Sequence, residues 1–338
     1  MNTTPKKAFS PSLPFRELWV EIAPGISLNR ERSEKLITNL YRAHEQELGL
    51  YALHNSSNGP QTVFRPDVEN QSLQHILWLF FATLTDRRQN SREVYKAHKK
   101  LHHETPWLYT EKVLELTEEE LVAMLVKHKI GVPRQSAKYW LRCAKTLFEE
   151  FDGNPISIIK HCGGTVDGIQ AWKILLEKEN GSDPWPGYGP KISSLFLLYL
   201  AEINVYPMPV DAYPVDVHVQ RLYLQYDAVR FKNGINNDTL ETYLRPEICR
   251  VILEHELDKV GVSHAFWQKG SKCCSGCSRR PDVTLLCSIA ADCKGPANTK
   301  SYFAEGVWHA PIDFMRRGND RNFKLESGPL FSQMLTSE

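Results

Sequence analysis

The sequence predicts an all-α fold arranged as two helical subdomains. Apolar residues recur at helical spacing through most of the chain, capping signals stand where several of these runs begin, and no sustained run alternates in the manner of a strand. The chain carries no internal repeat.

Taken in order, Leu36, Ile37, Leu40, Tyr41, His44 and Leu48 give a first amphipathic helix. A loop rich in Ser, Asn, Gly and Pro follows from Asn55 to about Asn70. Leu73, Ile76, Leu77, Phe80, Phe81 and Leu84 then form an apolar face wide enough to require burial. Thr117 and Glu120 have the spacing of a capping box, ahead of Leu121, Met124, Leu125 and His128. Trp140, Ala144, Leu147, Phe148 and Phe151 repeat the spacing, and Gly153 with Pro155 stops that helix. Ile169 to Lys178 is again helical, and Ile192 to Ala201 is apolar on nearly every side, which places it in the middle of a bundle. Asp216 is positioned to cap a helix carrying Val219, Leu222, Tyr223 and Tyr226. Pro246 is expected as the first residue of a helix carrying Ile248, Val251, Ile252 and Leu257.

Hydrophobic residues make up 42% of the 338 and charged residues 24%, the balance of an ordinary soluble globular protein. The longest apolar run, around Leu195 to Ala201, is too short to cross a bilayer, and Met1 to Pro14 holds no continuous apolar segment of a secretory signal. An intracellular protein (cytoplasm and nucleoid, or nucleus) with no membrane partner is therefore expected. The net charge of +1 does not announce a nucleic-acid partner. Basic clusters exist at Arg87, Arg88, Lys96, Lys99 and Lys100 and at Arg279 and Arg280, but such clusters are most often solvated faces.

Five of the eight cysteines fall between Cys273 and Cys293, while Cys143, Cys162 and Cys249 are scattered. Without a secretion signal, the clustered set reads as metal ligands rather than disulfides. Four thiolates suit zinc and an iron–sulfur cluster equally.

Between two helical stretches lies Trp185-Pro186-Gly187-Tyr188-Gly189-Pro190-Lys191. Two glycines one residue apart permit a tight hairpin, and its amides at a helix N-terminus suit a phosphate. After the apolar helix comes Pro214-Val215-Asp216-Val217-His218-Val219-Gln220-Arg221. This pair of segments resembles the helix-hairpin-helix superfamily of DNA glycosylases, whose pattern is a Leu-Pro-Gly-Val-Gly-x-Lys-type hairpin, a buried helix and a Val-Asp-x-His-type segment. The resemblance implies that Lys191 attacks C1′ of a damaged nucleotide and that Asp216 is essential to base release. It also implies that Gly187, Tyr188 and Gly189 contact double-stranded DNA containing a damaged base. A desolvated amine is a competent nucleophile, a Schiff base with the sugar permits strand cleavage, and a carboxylate stabilises the cationic sugar. A second Pro-Val-Asp, at Pro209-Val210-Asp211, makes Asp211 an alternative to Asp216; the register of His218 and Arg221 favours Asp216.

The same resemblance, to endonuclease III-like members, implies a [4Fe–4S] cluster after Phe266-Trp267-Gln268-Lys269-Gly270. Counted from Gly270, it selects Cys274, Cys277, Cys287 and Cys293, in a C-x2-C-x9-C-x5-C arrangement, with zinc the alternative and Cys273 spare. A cluster so held would pin Arg279 and Arg280 against the DNA backbone. Phe80-Phe81-Ala82-Thr83-Leu84-Thr85-Asp86 is similar to the family segment Leu-Ser-x-Gln-x-Thr-Asp, with Thr83 where a glutamine commonly fills the gap left by the flipped base. Asp86 matches a position that supports the site, and Gly131 to Ala137 loosely matches a Gly-x-x-x-x-Lys-Ala turn. Tyr188, at the hairpin tip, is the aromatic expected to be available for stacking.

The expected organisation is an N-terminal extension with a helix packed on the cluster subdomain (1–71), a hairpin-bearing helical barrel (72–202), a cluster subdomain (203–293) and a C-terminal extension (294–338). The active site is expected between the two subdomains. The function implied is a monomeric base-excision DNA glycosylase with AP-lyase activity; a catalytically inactive iron–sulfur DNA-binding protein is the alternative.

Overall fold

A computed structural model describes residues 19–53, 59–86, 90–231, 235–273, 287–293, 302–304 and 307–309. The chain is mostly helical, and its described residues fall into two compact units. The first takes residues up to 53, 217–243 and 265 onward; the second takes 59–216 and 244–264.

The first unit opens on strands β1 (Trp19–Ala23) and β2 (Ile26–Asn29), an antiparallel hairpin turned at Gly25, whose φ of 76° suits glycine. Asn29 ends the strand and caps helix α1 (Arg30–Glu45), its side chain accepting from the Arg32 N–H at 3.0 Å. Helix α1 buries Ser33, Leu36, Ile37, Leu40 and Ala43; of the predicted face Leu36, Ile37 and Leu40 are buried, Tyr41 and His44 are half-buried, and Leu48 lies exposed past the helix end, before a short helix α2 (Leu50–Leu53).

The second unit begins at α3 (Pro60–Val63), inside the stretch expected to be loop, and continues with α4 (Leu73–Thr85), capped by Ser72, and α5 (Ser91–Glu104). Helix α6 (Glu118–His128) carries the predicted capping box, with the Glu120 N–H donating to Thr117 Oγ1 and the Thr117 N–H to Glu120. Helices α7 (Pro133–Glu150), α8 (Pro155–His161), α9 (Val166–Asn180) and α10 (Pro190–Glu202) complete it. Residues His75 to Thr85 of α4 are buried on every face, so α4 and α10 run through the interior and the other helices surround them. Aromatic packing fills this core: Phe81 stacks on Trp140 at 4.6 Å, and Phe80 stacks on Tyr188 at 4.8 Å and Trp185 at 5.3 Å.

Back in the first unit, α11 (Val217–Gln225) leads to β3 (Val229–Phe231), which pairs with β2 in a sheet of order β1-β2-β3. Strands β4 (Ile235–Asn236), β5 (Tyr302–Ala304) and β6 (Val307–His309) form a second sheet of order β4-β6-β5; α12 (Asn237–Glu254) and α13 (Lys259–Gln268) are shared between the units, residues 244–264 belonging to the second. Ser33 Oγ meets Tyr223 Oη at 2.9 Å, and Arg32 donates to the Tyr226 carbonyl at 3.0 Å, tying α1 to α11.

The mostly helical chain is compatible with the all-α expectation; the described residues add a few strands of two to five residues, too short for alternation to register in the sequence. One expectation is corrected. Pro246 does not start a helix but lies inside α12. The lost backbone hydrogen bond is offset by burial of Leu240, Leu244, Ile248, Val251 and Ile252. No helix among the described residues is long and apolar enough to cross a membrane.

Candidate active site

The segment from Asp183 to Lys191 is built as a buttressed hairpin within the second unit. Helix α7 holds its approach: Thr146 Oγ1 donates to the Pro184 carbonyl at 2.8 Å, and Arg142 reaches the Asp183 carbonyl at 3.3 Å and Ser182 Oγ at 2.6 Å. Gly187 turns the chain with φ 93°, a conformation that a β-carbon disfavours. Gly189 is the N-cap of α10 and Pro190 its first residue, so the amides of Gly189, Lys191 and Ile192 stand at a helix N-terminus, where the helix itself supplies no acceptor. Among the described residues no acceptor meets the Gly189 N–H, and a β-carbon on Gly189 would find nothing within 4 Å. Backbone donors, a helix dipole and open space together suit an anion.

Tyr188 corrects an expectation. Its side chain is fully buried, stacked on Trp185 at 4.6 Å and donating from Oη to the Phe80 carbonyl at 2.6 Å. The tyrosine anchors the hairpin to α4 and offers no ring to a nucleobase.

Lys191 follows in the first turn of α10, half-buried, and its charge acts on Asp86 at the C-terminal end of α4. Burial pushes the Asp86 carboxyl up to about 6; the Lys191 ammonium pulls it down, the Ser91 hydroxyl donating at 2.9 Å lowers it further, and the Asp216 carboxylate raises it. Lys191, Asp86 and Asp216 therefore share one electrostatic neighbourhood within the second unit. Asp211 is engaged elsewhere: its Oδ2 accepts from the Asp167 N–H at 2.8 Å in the first turn of α9. The second Pro-Val-Asp thus serves a helix end.

Behind Asp86 lies a neutral polar relay. His98, fully buried and held down at about 3 by desolvation and then by His128, contacts Thr85 Oγ1 at 2.7 Å and Tyr109 Oη at 2.8 Å and stacks on Trp140. Thr83 has no exposed surface, and its hydroxyl bonds the Leu79 carbonyl at 2.7 Å and Tyr95 Oη at 3.3 Å. It has no access to a duplex. The sequence reading missed Val132, which is 42% exposed on the turn between α6 and α7. Lys129 at φ 56° and Gly131 at φ 61° make that turn tight, and a β-carbon on Gly131 would lie 3.4 Å from Thr85 Cβ. The signal available in the sequence was an apolar residue between Gly131 and Pro133.

In the first unit, Cys287 and Cys293 flank one tight turn, with the Ala290 N–H donating to the Cys287 carbonyl at 3.1 Å and the Cys293 N–H to that of Ile289 at 3.0 Å. Neither is in a disulfide with another described cysteine. Lys269, only 1% exposed, brings Nζ within 2.7 Å of Cys287 Sγ, and an ammonium there complements the negative charge of thiolate ligation. Asp292 ties the turn to Lys35 at 3.0 Å and to Tyr226 Oη at 3.1 Å. This donor chemistry fits half of a four-thiolate set. Cys274 and Cys277, the expected other half, lie outside the described residues, as do Arg279 and Arg280. Among the described residues no three potential ligands converge.

No family model and no curated protein matches the chain.

Proposed function

We propose that the chain is a base-excision DNA glycosylase with AP-lyase activity. What supports the reading is a hairpin opening a helix N-terminus in the same unit as Lys191, Asp86 and Asp216, with the charges of Lys191 and Asp216 both acting on Asp86. In this reading the amides of Gly189 and the first turn of α10 hold a backbone phosphate and position the duplex without reading its sequence. The damaged nucleotide is turned out of the stack. Lys191, its proton passed to a neighbouring carboxylate, forms a bond to C1′ through its nitrogen lone pair as the base leaves with the electron pair of the glycosidic bond and picks up a proton. Loss of the sugar-ring bond gives a Schiff base, and abstraction of a C2′ proton expels the 3′ phosphate, nicking the strand. Asp216 stabilises the positive charge that develops on the sugar.

With Thr83 buried, the gap in the duplex is filled by Val132, the exposed apolar side chain on a rigid turn beside the end of α4. In the cofactor reading, Cys274, Cys277, Cys287 and Cys293 hold a [4Fe–4S] cluster whose role is structural. Zinc is the rival occupant of the same thiolates.

The test is a panel of lesion-bearing duplexes assayed for base release and nicking, with borohydride trapping. The parent is expected to trap on at least one lesion, and Lys191→Gln to abolish trapping while retaining binding. Trapping that persists in Lys191→Gln removes the nucleophile assignment. Binding without base release by the parent on every lesion selects the inactive DNA-binding alternative, which the burial of Thr83 favours.

A further inference from the structure

The hairpin carries a buried cation on its inner side. Lys173, on α9, is 8% exposed and donates from Nζ to the Tyr188 carbonyl at 2.7 Å; Gln170 Nε2 reaches the same oxygen at 3.1 Å and Ser193 Oγ at 3.3 Å. Asp183, at the start of the hairpin, faces the ammonium at 3.3 Å and accepts the Trp185 N–H at 2.8 Å through its other oxygen. A lysine is seldom buried, because its charge must be compensated. Here the compensation includes one carbonyl and one carboxylate, both from the hairpin segment.

The geometry of the peptide unit gives this arrangement a consequence on the outer surface. The described residues contain no cis peptide bond, so the Tyr188 carbonyl and the Gly189 N–H are the two ends of one planar trans unit and point in opposite directions. Three donors gather the carbonyl inward; the amide at the other end of the unit therefore points away from Lys173, Gln170 and Ser193, and Gly189 is itself part-exposed. A cation on the carbonyl oxygen also draws electron density through the amide and strengthens the N–H as a donor.

We propose that Lys173 is a positioning residue for phosphate binding: its buried ammonium clamps the Tyr188 carbonyl and so presents a polarised Gly189 amide to the DNA backbone. The proposal rests on the duplex-binding reading for its purpose, but the clamp itself has an independent readout.

The experiment uses the full chain, labelled with ¹⁵N-glycine, and a synthetic duplex containing a tetrahydrofuran abasic analogue. The Gly189 resonance is assigned by its loss in Gly189→Ala. In Lys173→Met the Gly189 amide is expected to shift upfield, and duplex affinity to fall about tenfold, the size of one charge-assisted hydrogen bond. A scan of single methylphosphonate linkages supplies the readout that a merely structural role leaves unmoved. In the parent one linkage weakens binding about tenfold, and in Lys173→Met that same linkage has little further effect. A folded Lys173→Met with an unmoved Gly189 amide and an undiminished linkage effect overturns the proposal. If Lys173→Met does not fold, the double variant Gln170→Leu, Ser193→Ala removes the other two donors; a Gly189 shift and a reduced linkage effect support the clamp, and their absence overturns it. If the parent binds no duplex, the functional reading fails, and the amide shift alone decides the clamp.

Discussion

The two glycines of the hairpin make opposite demands, and substitution separates them. At Gly187 the φ of 93° penalises any β-carbon, so Gly187→Ala is expected to cost about 1–2 kcal/mol of stability. Gly189 has an ordinary backbone conformation, φ −71° and ψ 177°, and no neighbour in the path of a β-carbon. Gly189→Ala should leave thermal unfolding unchanged while weakening duplex binding, because the methyl group occupies the space a phosphate would enter. A Gly189→Ala protein that binds duplex like the parent excludes the hairpin from the interface. Asp86 gives a second expectation at this scale. Its folded-state value, about 6, is above the ordinary 3.8, so its protonated form favours the folded state. That contribution is fully present below about pH 4 and is lost as the pH rises through about 6, amounting to about 3 kcal/mol at most. Asp86→Asn removes the charge at every pH. Urea unfolding should therefore find Asn stabilised relative to the parent at pH 7 but not at pH 4. An equal change at both pH values refutes the assignment.

Elements were legible where their own residues determine them. The capping box of α6, the buried face of α1 and the all-round apolarity of α10 follow from local sequence and hold in the structure. The short strands did not show, because two to five residues give too little alternation, and some pair only with distant segments, as β2 does with β3 across some two hundred residues. Tyr188 was misplaced for a related reason. Its position at the hairpin tip reads as exposed, yet its ring is drawn inward by Phe80, 108 residues away, through a stack and a hydrogen bond that no local pattern announces. The same limit hid Val132. Helix α4 is so fully enclosed that Thr83 is a core residue bonded to Tyr95, and in the proposed function the plugging role is assigned to the turn between α6 and α7. Val132→Ala should slow base release from a paired duplex by roughly tenfold, the scale of one small apolar contact. It should change release from the same lesion in a single strand much less, since no stack must then be held open. Equal losses on both substrates would assign Val132 to another task.

At the scale of the whole molecule, each unit draws on segments far apart in the sequence. The expected boundary between 202 and 203 falls at 216/217, and residues 244–264 join the unit of the hairpin. Sequence order cannot announce such a division, because it is decided by which side chains pack together. The two units also differ in what sustains them. The second has a continuous aromatic and aliphatic core from Ile76 to Ala212. The first ties its cysteine turn to α1 through Lys35 and Asp292 and to Tyr226, just after α11. If four thiolates hold a cluster there, its free energy of binding is part of the folding free energy of that unit alone. Cys287→Ser should then lower iron and labile sulfide together and move one thermal transition down, with the transition of the second unit in place. Calorimetry with elemental analysis separates the outcomes: zinc without sulfide replaces the cluster assignment, and a variant with the parent's metal content and melting profile removes Cys287 from the ligand set.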